Sequence, residues 1–377
     1  MLIKVPCTVM RGGTSKGLFF KKDDLPIDGY LREKVILKAF GSPDPYERQI
    51  DGLGGATSTT SKLAIVEKRD DAINSVNYTF GQVDIKTSFI DMKGNCGNLS
   101  SAVGPFAIDN RMVDQIEEPY TKINIHNTNT GKNIVTFVPV KDGHTQYEGT
   151  FYISGISNPG SKIRLDFIEP GGAVTGDLLP TGKSKDLLQT KSTGEIEVSM
   201  VDAANPLVFV KADDVGLNGT ELPGNVDKNK KLLDTLLEIR AAAAVKLKLA
   251  KNFKEANTKS PAVPKLCFVS EAQDYLTTEN KRIKKEDINI VARMLSMGKL
   301  HPTFAIGGGI CLAIAAKIEG SVVKDQLEQM YMDEIKIGHC GGIMEVGAEF
   351  ADKKIALRGT VFRTARCLMT GYTYVSV

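Results

Sequence analysis

The sequence of 377 residues has no tryptophan, only four histidines and six widely separated cysteines. No two cysteines form a C-x-x-C pair, and the cysteine and histidine spacing fits no zinc-finger pattern. The sequence therefore predicts no metal site. Scattered, unpaired cysteines in a chain of this length are typical of reduced thiols, so we expect a cytoplasmic protein.

Long apolar runs and a strong net charge are missing as well. No segment approaches the ~18 consecutive apolar residues of a membrane helix, and residues 1–13 alternate in polarity instead of resembling a signal peptide. The net charge is only +3 and no basic block carries interleaved aromatics, so nucleic acid is not an expected partner. The glycine-rich stretch 51–68 matches neither a Walker A loop nor a G-x-G-x-x-G loop.

What is present is a chain of two halves that are rich in short β-branched runs. A segment rich in glycine, proline and charged residues ends near residue 185. This composition predicts a boundary between a domain of residues 1–184 and a domain of residues 185–377, although the last strand could return to the first domain. The runs that predict strands are 3–10, 62–68, 122–127, 133–140, 148–156, 162–168, 195–203 and 206–212.

Four segments have helical character. Residues 228–252 and 285–298 have amphipathic patterns, whereas 97–108 and 308–318 are apolar nearly all round and should be buried. The last two follow glycine-rich loops that align on Leu99 and Leu312, with Gly94 and Gly307 five positions earlier. This alignment hints at an internal duplication in which each half wraps a sheet around a central helix.

The segment Gly94–Asn98, GNCGN, places Cys96 at the start of a predicted helix. Free N–H groups and the helix dipole would favour an anion there, and a thiol at such a position gains thiolate character. Asn95, Gly97 and Asn98 would complete a loop that holds a carboxylate while a proton moves. The alternative is a buried cysteine in a tight turn with Asn98 as a simple N-cap.

The other candidate residues also have a purely structural interpretation. Lys62 could act as a base if it is desolvated, or it could be a surface charge at the edge of a strand. Residues 11–16, RGGTSK, could bind a carboxylate through Arg11, Thr14 and Ser15 or simply form a hairpin turn. The remaining candidates are the hydroxyl-bearing loop that contains Ser58, the N–H groups of Gly308 and Gly309, and His339 in a strand-to-turn position.

The segments MRGGTSKGLFF, GLGGATSTTSKLAIV, GNCGNLSSAVGPFAID, VDAANPLVFV, GKLHPTFAIGGGICLAIAA and RTARCLMTGYTYV occur in this order along the chain. Together they resemble the PrpF-type isomerases. The resemblance implies an α+β, diaminopimelate epimerase-like fold with two pseudo-symmetric domains, each a rolled β-sheet around a central helix, and an active site in the cleft between them. The epimerases of this fold use two facing cysteines, but the position aligned with Cys96 here is Gly309.

The resemblance also implies an activity and its residues. The family shifts double bonds in unsaturated di- and tricarboxylates without a cofactor, and its catalytic lysine and cysteine map onto Lys62 and Cys96. The likeness is greatest to the interconversion of 3-methylitaconate and 2,3-dimethylmaleate. The alternatives are 2-methylaconitate cis–trans isomerisation, oxalomesaconate tautomerisation and, in a different class, non-catalytic carboxylate binding. We expect self-association into a homo-oligomer.

Overall fold

A computed structural model of the chain describes residues 2–92, 94–258, 260, 263–296, 298–328, 333–352 and 355–376. Within these residues the helices are α1 Gly29–Phe40, α2 Gly97–Ser100, α3 Val103–Asp109, α4 Pro223–Lys228, α5 Lys230–Lys246, α6 Phe253–Thr258 and α7 Ile306–Lys317. Single 3-10 turns lie at Lys22–Asp24, Asp213–Val215, Lys285–Asp287 and Lys324–Gln326.

Strands make up most of the regular secondary structure. In the described part of the chain they are β1 Leu2–Gly12, β2 Ser15–Lys21, β3 Lys62–Arg69, β4 Ser75–Val83, β5 Ile90–Asp91, β6 Tyr120–Asn127, β7 Lys132–Lys141, β8 His144–Thr145, β9 Ile163–Ile168, β10 Asp186–Thr190, β11 Gly194–Ala203, β12 Asn205–Lys211, β13 Lys265–Glu271, β14 Tyr275–Leu276, β15 Arg282–Ile283, β16 Ile290–Ser296, β17 Lys299–Leu300, β18 Glu334–His339, β19 Gly342–Asp352, β20 Ile355–Arg363 and β21 Ala365–Ser376.

The first compact unit comprises Met1–Asp166 and Phe362–Val377. Its longest ladder pairs β1 with β21 in antiparallel register, so the last strand does lie with the first unit. β2 pairs with β1 and runs parallel to β3, and β3 pairs antiparallel with β4. The short helices α2 and α3 pack against β1, β2, β3, β6 and β7, and most of their apolar side chains are buried.

The second unit, Phe167–Val361, is organised around α7. This helix packs on β11, β12, β18 and β19, and its residues are buried on nearly every side. An apolar surface all round is stable only when strands cover it, as they do here. The amphipathic α5 packs on β10 and β13, and the Asn229 side chain caps its first turn by accepting a hydrogen bond from the Leu232 N–H at 3.2 Å.

The boundary between the units falls between residues 166 and 167, earlier than the expected position near 185. The glycine-rich segment 170–184 joins the second unit because hydrogen bonds tie it to the end of β11. The buried Asp202 accepts bonds from the N–H groups of Val174 and Thr175, and its own N–H donates to the Leu178 carbonyl at 3.0 Å. The segment whose composition suggested a domain boundary is therefore a loop that is hydrogen-bonded to the second unit, not a linker.

The secondary structure predicted for residues 285–298 and 148–156 was wrong. Residues 285–298 do not form a helix: a 3-10 turn is followed by strand β16, while Met297 lies outside the described residues. β16 lies between β13 and β18, and a short apolar run buried on both faces reads equally well as helix or strand. Residues 148–156 do not form a strand beyond an isolated bridge between Phe151 and Gly160.

Candidate functional site

Cys96 is the N-cap residue of α2, with an extended backbone at φ −112° and ψ 98°. α2 ends after four residues, and α3 begins at Val103, so the single helix expected over 97–108 is broken. Pro105 explains the break, since it has no N–H to bond the carbonyl one turn earlier. The dipole of so short a helix is small, so the environment of Cys96 must be set largely by neighbouring side chains.

The turn between β1 and β2 contacts the Cys96 loop. Ser15 is buried, and its Oγ lies 3.7 Å from the Cys96 Sγ. The backbone N–H of Thr14 donates to Asn98 Oδ1 at 3.4 Å. A Cβ on Gly13, which has a positive φ of 53°, would overlap Asn98 Oδ1, so this approach needs a glycine. Two motifs that lie more than 80 residues apart in sequence are thus in contact in the structure.

Asn98 Oδ1 has a second donor, the Nε–H of Arg363 at 3.3 Å. Arg363 is only 6% exposed, and its Nη1 donates to the backbone carbonyl of Phe362 at 2.7 Å. Burial lowers the pKa of Arg363 to about 10. Because this value is still far above neutral pH, the guanidinium remains charged beside the Cys96 loop.

Lys62 begins β3, where it pairs with Gly17 of β2 on one side and Gln82 of β4 on the other. Its Nζ donates to Gln82 Oε1 at 2.8 Å and lies 5.1 Å from the centroid of the Phe80 ring. Gln82 is held in turn by a bond from its Nε2 to the Ser61 carbonyl at 3.0 Å. Among the described residues, the hydrogen-bond acceptor of the Lys62 side chain is therefore a neutral amide rather than a carboxylate.

Backbone and side-chain packing joins the lysine strand to the cysteine helix. A Cβ on Gly17 would overlap the Lys62 carbonyl and lie 3.3 Å from the Leu99 side chain, so the glycine lets β2 fit between them. Tyr78 lies on the same face of β4 as Phe80 and Gln82 and is fully buried near Cys96 and Ser100. Burial, reinforced by the neighbouring Cys96 thiol, raises the pKa of Tyr78, so it provides a neutral wall.

Two other predicted residues have weaker connections to this cluster. Asn95 is half-buried, and its Oδ1 accepts a bond from Ser100 Oγ at 3.3 Å. Ser58 is exposed in the loop before β3, where the neighbouring Thr57 and Thr60 hydroxyls bond each other at 2.7 Å. That loop touches the β1–β2 turn through the Lys16 N–H, which donates to the Thr59 carbonyl at 2.9 Å.

The second unit holds the other predicted residues. Gly308 is in the first turn of α7, where backbone N–H groups have no carbonyl one turn earlier. The N–H of Gly309, which we expected to be free, donates to the Ala305 carbonyl at 2.9 Å. His339 is 1% exposed, and its Nδ1 accepts the Gly341 N–H at 3.1 Å, so it is a buried residue that stabilises a turn.

No group of three or more His, Cys, Asp or Glu side chains in the described residues is arranged to hold a metal ion. No helix there is both long and apolar enough to cross a membrane.

Comparison with known proteins decides the family. The model for "PrpF protein" matches residues 2–376. The chain belongs to the PrpF family. It is 45% identical to 3-methylitaconate isomerase of Eubacterium barkeri over 99% of this chain and 97% of that protein. It is also 36% identical to 2-methyl-aconitate isomerase of Shewanella oneidensis, over 99% of this chain and 97% of that one. The PrpF-family chain is an isomerase.

A solved methylitaconate-delta-isomerase superimposes with a TM-score of 0.93 at 44% identity, covering 99% of this chain and 96% of that one. A hydroxyproline epimerase from Agrobacterium vitis superimposes with a TM-score of 0.51 at 12% identity, covering 99% and 93%. The second likeness shows the fold alone. The predicted α+β, diaminopimelate epimerase-like fold is confirmed.

Sequence reasoning did not single out three of the residues around Cys96 and Lys62 in this PrpF-family isomerase. Arg363 stands in the RTAR motif, but nothing in the pattern shows that its side chain is buried or that it contacts Asn98. Tyr78 and Gln82 belong to a strand whose alternation could have shown that they share a face with Phe80. Their role depends on the pairing of β3 with β4, which alternation alone does not reveal.

Proposed function

We propose that this PrpF-family isomerase interconverts 3-methylitaconate and 2,3-dimethylmaleate by moving a proton between two carbons of the allylic system. The full-length similarity to 3-methylitaconate isomerase supports this choice of substrate. The single observation that carries the mechanism is Cys96, a half-buried thiol in a loop whose Asn98 and Ser15 neighbours are fixed by hydrogen bonds.

The chemistry needs a base, an acid and groups that stabilise negative charge. A base removes the proton from the carbon that bears the methyl group and a carboxylate, and the electron pair spreads into a dienolate. An acid then delivers a proton to the terminal methylene carbon, which becomes a methyl group as the double bond moves inward. Cys96 and Lys62 are the proposed base and acid, in either order, or one of them acts in both steps.

Hydrogen-bond donors would stabilise the charge that accumulates on the carboxylate oxygens, at about 3 kcal/mol for each well-placed donor. In the first unit the proposed donors are the side-chain amides of Asn95 and Asn98, the Gly97 N–H, and the hydroxyls of Thr14 and Ser15. The exposed Ser58 is a weaker candidate. In the second unit the first-turn N–H of Gly308 is a further candidate, whereas the packing of His339 favours a supporting role there.

A proton NMR time course in D₂O tests the substrate. The purified enzyme is incubated separately with 3-methylitaconate, 2-methylaconitate and 4-oxalomesaconate. We expect fast formation of 2,3-dimethylmaleate and little reaction of the other two acids. Conversion of 2-methylaconitate alone would make the chain a methylaconitate isomerase, and no reaction with any acid would favour a carboxylate-binding protein.

Three further properties belong to the same proposal. Acid–base chemistry by Cys96 and Lys62 requires no cofactor. A cytoplasmic location is supported by six cysteines that are all free. Self-association is supported by exposed apolar side chains along β21, where Leu368, Tyr372 and Tyr374 are 46%, 55% and 61% exposed. Sedimentation velocity of the intact chain tests this last point, and a monomer at micromolar concentration would contradict it.

A further inference from the structure

The side-chain amide of Asn98 can adopt only one orientation. Its oxygen faces two groups that can only donate, the Thr14 N–H and the Arg363 Nε–H. If the amide were flipped, its NH₂ group would face both of these donors. The Nδ2 donor of Asn98 must therefore point away from Arg363, and among the described residues it has no hydrogen-bond partner.

Arg363 is a buried charge that has no acidic partner among the described residues. Its two hydrogen bonds within the described residues go to a side-chain amide and to a backbone carbonyl, and neither acceptor carries a charge. Burying a cation in this way is costly, because burial removes its hydration. A protein can tolerate such a cost at a site where an anionic ligand supplies the missing charge.

We infer that Arg363 is a positioning residue: it holds Asn98 with the amide donor free for a substrate carboxylate and places an uncompensated positive charge behind the Cys96 loop. This deepens the proposed function, on which it rests, by assigning the source of the site's preference for anions. The charge of Arg363 would attract an anion to the loop, an effect for which the dipole of the four-residue α2 is too weak. Arg363 itself need not touch the substrate.

Two alkylating reagents that differ in charge test the inference without any substrate. Iodoacetate carries a carboxylate, whereas iodoacetamide is its neutral counterpart of nearly the same shape. The rate of Cys96 modification by each is measured by mass spectrometry of the Cys96 peptide, which separates it from the half-buried Cys367. The rate with iodoacetate is divided by the rate with iodoacetamide, and this ratio is divided by the same ratio for glutathione. We call the result the anion preference of the site.

We expect an anion preference well above one in the wild-type enzyme. Arg363→Gln should lower it about tenfold, because the charge is lost, whereas Arg363→Lys should retain most of it. Asn98→Asp should also lower it, since the new carboxylate would neutralise the guanidinium. That variant should melt at or above the wild-type temperature, because the buried cation gains a partner. A purely structural role would not separate stability from anion preference in this way.

Arg240 in the second unit provides a matched control. It is also a buried arginine whose pKa is lowered by burial, and it donates to Asn257 Oδ1 at 2.6 Å and to the Ala256 and Ser260 carbonyls. Arg240→Gln should lower stability yet leave the anion preference of Cys96 unchanged.

A wild-type preference no higher than that of glutathione would overturn the inference. So would a preference in Arg363→Gln within about twofold of wild type. If Arg363→Gln does not fold, the anion preference of Asn98→Asp is measured instead. A preference in that variant that is no lower than in the wild type would also overturn the inference. Failure of all three acids in the NMR assay would refute the proposed function, but the alkylation ratios would still decide the role of Arg363.

Discussion

The two glycine-rich helix entrances share their spacing but differ in their chemistry. In the first unit, Cys96 precedes a helix of four residues and is half-buried. In the second unit, the aligned Gly309 lies inside the twelve-residue α7, and the thiol of that segment, Cys311, is fully buried two residues further on. Burial raises the pKa of Cys311, whose Sγ donates to the Val201 carbonyl at 3.3 Å.

A repeated architecture therefore does not imply a repeated reactive group. The facing thiols of a symmetric racemisation would require a cysteine at each entrance, and here only the first entrance presents one. An acid and base of different types, Cys96 and Lys62, fit a reaction whose two carbon positions are not equivalent.

The strongest contrast is between the two thiols. Cys96→Ala should lower turnover about 10³-fold, because a group that transfers the proton is removed. Cys311→Ala should leave turnover within a few-fold of wild type and cost about 1–2 kcal/mol of unfolding free energy, the cost of a small core cavity. Steady-state kinetics and thermal unfolding of both variants measure this. Equal losses of turnover would show that the two entrances are not distinct.

The second contrast compares two lysines on one strand. Lys62→Met should lower turnover about 10²- to 10³-fold through loss of the proposed acid or base. Lys68, six residues further along β3, is 39% exposed and forms an ion pair with Asp114, so Lys68→Met should change turnover little. Steady-state kinetics of both variants, with the acid that the wild-type enzyme converts, measure this difference. Undiminished turnover in Lys62→Met would exclude the lysine from the proton transfer.

The third contrast uses strand glycines that allow a helix to approach. A Cβ on Gly12 would lie 2.7 Å from the Asn98 carbonyl oxygen and 3.0 Å from that of Leu99, so the backbone of α2 would have to shift. On Gly359 a Cβ would instead overlap the side chain of Ile310 in α7. Both alanine variants should lose about 1–3 kcal/mol of stability.

Only Gly12→Ala should also lower turnover, about tenfold, because it displaces the residues next to Cys96. Chemical denaturation and kinetics on the same preparations separate the two effects. An equal fall in turnover for Gly359→Ala would mean that activity follows stability rather than the position of the Cys96 loop.

The sequence predicts best those elements whose pattern is long or extreme. α5 has leucines at helical spacing, and α7 is apolar throughout with three glycines in its first turn, so both were predicted correctly. β16 was missed because its apolar run is buried between two strands, and tertiary pairing overrides the weak local preference. The break between α2 and α3 could have been predicted from Pro105, which interrupts helical bonding.

For the candidate site, the motifs identified Cys96, Lys62, Ser15 and Asn98, and the structure brings Ser15, Asn98 and Cys96 into one hydrogen-bonded cluster. Arg363 could not be assigned from the sequence. It reaches Asn98 only because the chain returns to the first unit for its last strand, and a contact across 265 residues leaves no local pattern.

The most direct test of the central claim is stoichiometric modification of Cys96. The enzyme is titrated with iodoacetamide, with and without the acid that it converts, while the labelled fraction of Cys96 and the remaining turnover are followed together. We predict that turnover falls in proportion to Cys96 labelling and that the acid protects both. Full labelling of Cys96 with undiminished turnover would contradict the claim that this thiol takes part in the reaction.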